Sequence, residues 1–139
     1  MKIGVITAEF NSRYTYALRD GAVEALVEKG VAKENIIMKS VPGAFELPIV
    51  AKNLILNHGV DGVLCYGVVI RGETDHYDYV CGAAADGCLQ VGLETLKPVQ
   101  FGVLTVDTHK QLFDRIWGKK GNKGREVALG LLDTLEAMK

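Results

Sequence analysis

Proline and tryptophan are scarce in this chain, at three and one in 139 residues. No stretch reads as a proline-rich linker, a low-complexity tract or an internal repeat. Long apolar runs are also missing. None approaches the ~20 residues of a membrane span, and the first residues, Met1-Lys2-Ile3-Gly4-Val5-Ile6, read as a strand rather than a signal peptide. Neither sign of charge dominates, and a formal net charge of -1 supplies no attraction for nucleic acid or an anionic membrane. Cys65, Cys81 and Cys88 are odd in number, lie in apolar segments and lack metal-ligand spacing. They are expected to be small core residues in a reducing cytoplasm. Neither a Walker pattern nor GxGxxG occurs.

What is present describes a globular chain. A hydrophobic content of 48% against 24% charged residues is enough for a real core, and the length fits one domain, 1–139. Four strand-like segments, Lys2–Ala8, Asn35–Val41, Val63–Ile70 and Pro98–Thr105, alternate with helical ones. The first helix is expected over Arg13–Lys29, where Leu18, Ala22, Ala25 and Leu26 recur at helical spacing before Gly30. Pro48 suits the first turn of a second helix running to Asn57, closed by His58-Gly59. Tyr77–Leu96, Thr108–Trp117 and Lys123–Met138 follow. Apolar strands separated by helices predict an α/β fold: a three-layer α/β/α sandwich, a four-stranded parallel sheet with helices on both faces. The Tyr77–Leu96 helix is rich in small residues (Gly82, Ala83, Ala84, Ala85, Gly87, Cys88, Gly92). Glycine in a helix costs about 0.5–1 kcal/mol relative to alanine. Close packing must offset that cost, either on the helix's own sheet or against another subunit.

In a parallel sheet the carboxyl ends of the strands carry the ligand site. Three loops are expected to emerge on that edge. Glu9-Phe10-Asn11 offers a ring that can stack on a flat heterocycle or merely cap the core, beside an amide. Gly43-Ala44-Phe45-Glu46 offers a carboxylate that can bind ligand or sit at a helix N-terminus. Arg71-Gly72-Glu73-Thr74-Asp75-His76 offers backbone amides ahead of a helix, a hydroxyl and a histidine. Histidine titrates near neutral pH and is the natural proton carrier there. His58, in a helix-closing turn, and His109, among charged residues at a helix start, are weaker candidates. Arg115, Lys119, Lys120, Lys123 and Arg125 surround a glycine-rich break at 118–124. They form either a solvated basic loop or a source of cations for a phosphorylated ligand.

Taken in order, Phe10-Asn11, Pro42-Gly43-Ala44-Phe45-Glu46, Gly67 through His76, Phe101-Gly102-Val103-Leu104-Thr105, and Arg115 with Gly121-Asn122-Lys123-Gly124 resemble the 6,7-dimethyl-8-ribityllumazine synthase family. The resemblance covers nearly the whole chain. It implies a flavodoxin-like fold and a reaction between 5-amino-6-(D-ribitylamino)uracil and 3,4-dihydroxy-2-butanone 4-phosphate, with no metal or organic cofactor. By position, Phe10 would stack on the pyrimidine. Asn11, Ala44, Phe45 and Glu46 would line the ring and ribityl sites above Val69 and Ile70. Gly72, Glu73 and Thr74 would bracket the phosphate, and His76 would transfer protons. Phe101, Arg115 and Lys123 would reach the pocket from a neighbouring subunit, Arg115 as main phosphate ligand. The resemblance also implies a cytoplasmic homopentamer around the small-residue helix, with a closed shell of sixty subunits as the larger form and riboflavin synthase as a candidate partner. The compact break at 118–124 resembles that of shell-forming members. The start at Met1-Lys2-Ile3, without a preceding strand, and Ile116-Trp117, in place of a smaller pair, depart from them. An archaeal-type riboflavin synthase and a non-catalytic flavin- or lumazine-binding module are the rival readings.

Overall fold

Nine regular elements alternate along the chain, in a computed structural model that describes residues 1–119 and 121–139. They are β1 (Ile3–Ala8), α1 (Ser12–Glu28), β2 (Ile36–Val41), α2 (Leu47–His58), β3 (Gly62–Ile70), α3 (His76–Thr95), β4 (Val99–Val106), α4 (His109–Ile116) and α5 (Lys123–Ala137). Single 3-10 turns at Lys33–Asn35 and Ala44–Glu46 precede β2 and α2. The strands form one parallel sheet in the order β2-β1-β3-β4, each crossover running through a helix. Alternation of side chains across the strands divides the core in two. Ile3, Val5, Leu64, Tyr66 and Leu104 pack against Leu18 and Leu26 of α1, Leu112 of α4 and Leu131 of α5. Ile6, Val63, Cys65 and Val103 pack against Leu47 and Leu54 of α2 and Ala84 and Cys88 of α3. The result is the three-layer α/β/α sandwich expected from the alternation of strands and helices, consistent with the flavodoxin-like fold that the resemblance implies.

Several boundaries shift by a residue or more, for identifiable reasons. β2 starts at Ile36 because Lys33–Asn35 forms a 3-10 turn first. Expected to be apolar throughout, β2 instead leaves Met38, Lys39 and Ser40 exposed, because the helices pack mainly over β1, β3 and β4 and leave this edge strand's side chains largely uncovered. α3 stops at Thr95 because Leu96 adopts a left-handed conformation, φ 55°. β4 runs Val99–Val106, one residue later than expected at each end, because its ladder with β3 continues to the Ile70–Val106 pair. Asn122 caps α5 by accepting from the Arg125 amide, and Thr108 with Gln111 forms a capping box on α4.

One contact locks α5 against α1 within a single helical layer. A Cβ on Gly124 would stand 2.1 Å from the carbonyl oxygen of Leu18, so α5 starts in backbone contact with α1. Its own carbonyl accepts from the buried Tyr66 hydroxyl of β3 at 2.7 Å. Asn122 Nδ2 donates to the Ala17 carbonyl at 3.2 Å. The start of α5, where Lys123 lies, is thereby fixed to both the sheet and α1.

The small residues of α3 serve different ends. A Cβ on Gly87 would meet Pro48 Cγ of α2 at 2.7 Å, and one on Gly92 would meet the Lys97 carbonyl oxygen at 3.4 Å. Both glycines therefore serve packing within the chain. Gly82, by contrast, has nothing within 4 Å, and Tyr79, Leu89 and Leu93 on the same helix are well exposed. That outward face has no partner within the described residues.

Candidate active site

At the carboxyl edge of the sheet the ends of β1, β2 and β3 enclose a cavity of about 650 Å³. Its lining comes from four segments: Phe10 and Asn11 after β1, Gly43 to Glu46 after β2, Val68 to Ile70 at the end of β3, and His76, Tyr79 and Val80 in the first turns of α3. Residues up to 70 positions apart are thus brought to one hollow by parallel strand order alone.

The β1–α1 loop is held at many points. The amides of Glu9 and Phe10 donate to the carbonyls of Val41 (2.8 Å) and Pro42 (3.0 Å). Buried Thr15 donates its hydroxyl to the Ala8 carbonyl at 2.7 Å. Asn11 is left-handed, φ 62°, a conformation asparagine tolerates better than most residues. Its Nδ2 donates to the Val68 carbonyl at 3.3 Å, tying the loop to β3. The Glu9 carboxylate accepts from the Tyr16 hydroxyl. That bond, with one from Ser40, holds Glu9 below the usual carboxylate range. Phe10 itself is 70% exposed, so it does not cap the core as one reading allowed. It stands on a fixed loop as an open aromatic face, and a Cβ on Gly43 would crowd its ring at 3.1 Å. Glu46 combines both expected roles in part. One carboxylate oxygen accepts from the Gly43 amide at 3.2 Å ahead of α2, and the residue still lines the cavity.

The turn after β3 is arranged differently from a simple anion cradle. Gly72, Glu73 and Thr74 are exposed and lie outside the cavity lining. The Thr74 Oγ1 accepts from the His76 amide at 3.4 Å, so that amide is turned toward the loop's own hydroxyl. His76 opens α3 with an exposed imidazole at the cavity wall. His109, in contrast, has its Nδ1 2.9 Å from the Tyr14 hydroxyl, a structural contact between α4 and α1. His58 lies in the last turn of α2 as expected, followed by left-handed Gly59.

The remaining expected residues lie elsewhere. Arg115 and Lys123 border a second hollow of about 260 Å³ with Leu104 and Glu126, on the other face of the sheet. Arg115 Nη1 donates to the Gln111 carbonyl at 3.0 Å, and Lys123 Nζ pairs with Glu126 at 3.0 Å. Phe101 packs half-buried against the core beneath α2 and α3. Arg125 is taken up by Glu28, and Lys120 lies outside the described residues. Tyr79 and Val80 line the first cavity although no loop motif marks them, while Gly43 and Val68 join it from within motifs already named. The helical spacing of Tyr79 three residues after His76 was the available signal.

The cysteines offer no nucleophile to this site. Cys65 and Cys88 are buried together, and Cys65 is held well above the usual thiol range by its contact with Cys88 and by burial. Cys81, expected in the core, is only half-buried, on α3. Among the described residues no group of three or more His, Cys, Asp or Glu is placed to hold a metal ion. No helix among them is long and apolar enough to cross a membrane.

Comparison with known proteins gives this geometry its context. The family model for 6,7-dimethyl-8-ribityllumazine synthase matches residues 1–139. The chain belongs to that family. Its activity is therefore enzymatic, a transferase step in riboflavin biosynthesis acting on small molecules. It is 49% identical over 132 residues to a 6,7-dimethyl-8-ribityllumazine synthase of Cytophaga hutchinsonii, covering 95% of this chain and 83% of that protein. Proteins of the same name from Pediococcus pentosaceus and Lactiplantibacillus plantarum are 46% and 45% identical, covering 98% and 100% of this chain and 87% of each relative.

Proposed function

We propose that the cavity beneath Phe10 is the pyrimidine half of a lumazine synthase active site, completed by Phe101, Arg115 and Lys123 of a neighbouring copy. The observation that carries this reading is a separation. Phe10, Asn11, Glu46 and His76 line one hollow, whereas Arg115 and Lys123 face another. A phosphorylated substrate needs cations beside the first hollow, and a second copy is the way to supply them.

In this reading 5-amino-6-(D-ribitylamino)uracil condenses with 3,4-dihydroxy-2-butanone 4-phosphate to give the lumazine, phosphate and water. Phe10 stacks on the pyrimidine. Asn11, Ala44, Phe45 and Glu46 line the ring and ribityl positions, with Val69 and Ile70 below. Gly72, Glu73 and Thr74 border the phosphate region. The ketone carbon is attacked by the aromatic amine, phosphate leaves, and tautomerisation precedes ring closure. Each step moves protons and none needs a protein nucleophile. His76 serves the proton transfers, a contribution typically worth ~10²–10⁴-fold. Alignment of the two substrates supplies much of the remainder.

The chain acts as one domain, 1–139, in a cytoplasmic pentamer built on the exposed face of α3, where Gly82 leaves open space beside Leu89 and Leu93. A sixty-subunit shell is the expected higher assembly, with riboflavin synthase, which consumes the product, as partner. Mixing the two substrates with purified protein and following lumazine absorbance with phosphate release tests the chemistry. Formation of both products supports it. Absence of product would favour a binding module, and riboflavin formed from added lumazine would favour the rival synthase.

A further inference from the structure

Arg71 is the one cation in the turn that precedes His76, which makes it an obvious phosphate ligand; its surroundings argue for another role. Its amide donates to the Val106 carbonyl at 2.9 Å, extending the β3–β4 ladder. Its Nε donates to Asp107 Oδ1 at 2.9 Å, just beyond the end of β4. Its Nη1 lies 3.6 Å from Asp78 in the first turn of α3, and its guanidinium lies 4.2 Å from the centre of the Tyr77 ring. One planar guanidinium thus joins the ends of β3 and β4 to the start of α3, a geometry lysine does not reproduce. Two carboxylates face this single positive charge, so the group carries no surplus cation for a phosphate. Among the described residues, no hydrogen bond holds the His76 imidazole. The ring's position therefore follows from that of the helix's first turn.

We propose that Arg71 is a positioning residue that sets His76 against the cavity by clamping the first turn of α3 to the end of β4. The inference rests on the reading of His76 as proton carrier. Misplacement of a reacting group by an ångström can cost about 10²-fold. Arg71→Met should accordingly lower kcat roughly 10- to 100-fold while leaving KM for the phosphorylated ketone within about twofold. Arg71→Lys should recover only part of the loss. Asp107→Asn should lower kcat in the same direction without tightening KM.

The deciding readout is a double-mutant cycle in protein shown by light scattering to be fully assembled. In a His76→Ala background, Arg71→Met should cost less than about twofold, because its effect passes through the missing imidazole. Equal losses in both backgrounds would overturn the proposal. So would a KM for the phosphorylated ketone raised tenfold at unchanged kcat, or lowered by Asp107→Asn, since either would mark Arg71 as a direct ligand. Wild-type turnover in His76→Ala alone would overturn the role of His76 and this inference with it. A slow His76→Ala with additive Arg71 losses would overturn only the latter. If Arg71→Met fails to assemble, Arg71→Lys and Asp107→Asn carry the same cycle.

Discussion

Replacing Gly124 by alanine inserts one methyl group where the backbones of α5 and α1 meet. The added Cβ would lie 2.1 Å from the Leu18 carbonyl oxygen, 2.6 Å from its carbon and 2.7 Å from its Cα. These are backbone atoms of a fully buried residue, so no side-chain rotation relieves the clash. Ordinary contact begins near 3.4 Å, so α5 must retreat by more than an ångström from α1. Retreat also stretches the bond from the Tyr66 hydroxyl to the Gly124 carbonyl. Overpacking typically costs 1–3 kcal/mol and occasionally more. With backbone on both sides, about 3–4 kcal/mol is expected here, less roughly 0.5–1 kcal/mol regained from helix propensity. Gly130 on the same helix is the control. It has nothing within 4 Å, so Gly130→Ala should stabilise by up to about 1 kcal/mol. Denaturant unfolding at one fixed protein concentration, followed by Trp117 fluorescence, measures both variants. A Gly124→Ala loss below about 1 kcal/mol, or a change of the same sign in both variants, would show that the α5–α1 backbone contact does not resist an added methyl group.

Three further outcomes follow from the site. His76→Ala should slow turnover without abolishing it, and complete inactivity in correctly assembled protein would contradict the view that alignment carries the remainder. Arg115→Ala should chiefly raise KM for the phosphorylated ketone, by about tenfold or more for a lost charge-assisted bond; steady-state kinetics with an unchanged KM would remove Arg115 from that role. Glu9 is held below its ordinary range mainly by the Tyr16 hydroxyl, so its stabilising effect is present above its unfolded pKa and fades as pH falls through the lower folded value. Tyr16→Phe should flatten that acid-side decline in thermal unfolding scans between pH 5 and pH 3, taken as roughly the window in which carboxylates titrate. An identical pH profile in the variant would sink this assignment.

The fold was legible because its signals are local and repeated. Apolar strands alternate with periodic helices, and Pro48 and Gly59 punctuate them as their backbone preferences dictate. The convergence of Phe10, Glu46 and His76 followed from topology, since parallel strands deliver successive loops to one edge. Side-chain engagement was harder to read. Asn11 and Thr74 have polar groups that any ligand must share with the chain itself, Asn11 through Val68 and Thr74 through the His76 amide. The separation of Arg115 and Lys123 from the cavity depends on which face α4 and α5 cover, which the order of elements along the chain leaves open. The polar edge of β2 and the division of labour among the α3 glycines likewise depend on neighbours distant in sequence.

In the proposed catalytic unit the Phe10 cavity comes from one copy and the Arg115 hollow from the next. Co-assembling equal amounts of His76→Ala and Arg115→Ala subunits tests it directly, with rates measured at a low concentration of the phosphorylated ketone. In a randomly mixed ring with shared sites, about one quarter of sites combine two intact halves, so activity should rise to roughly a quarter of the wild-type rate. A mixture that shows only the average of the two parent rates would place both halves in a single chain and rule out a site shared between copies.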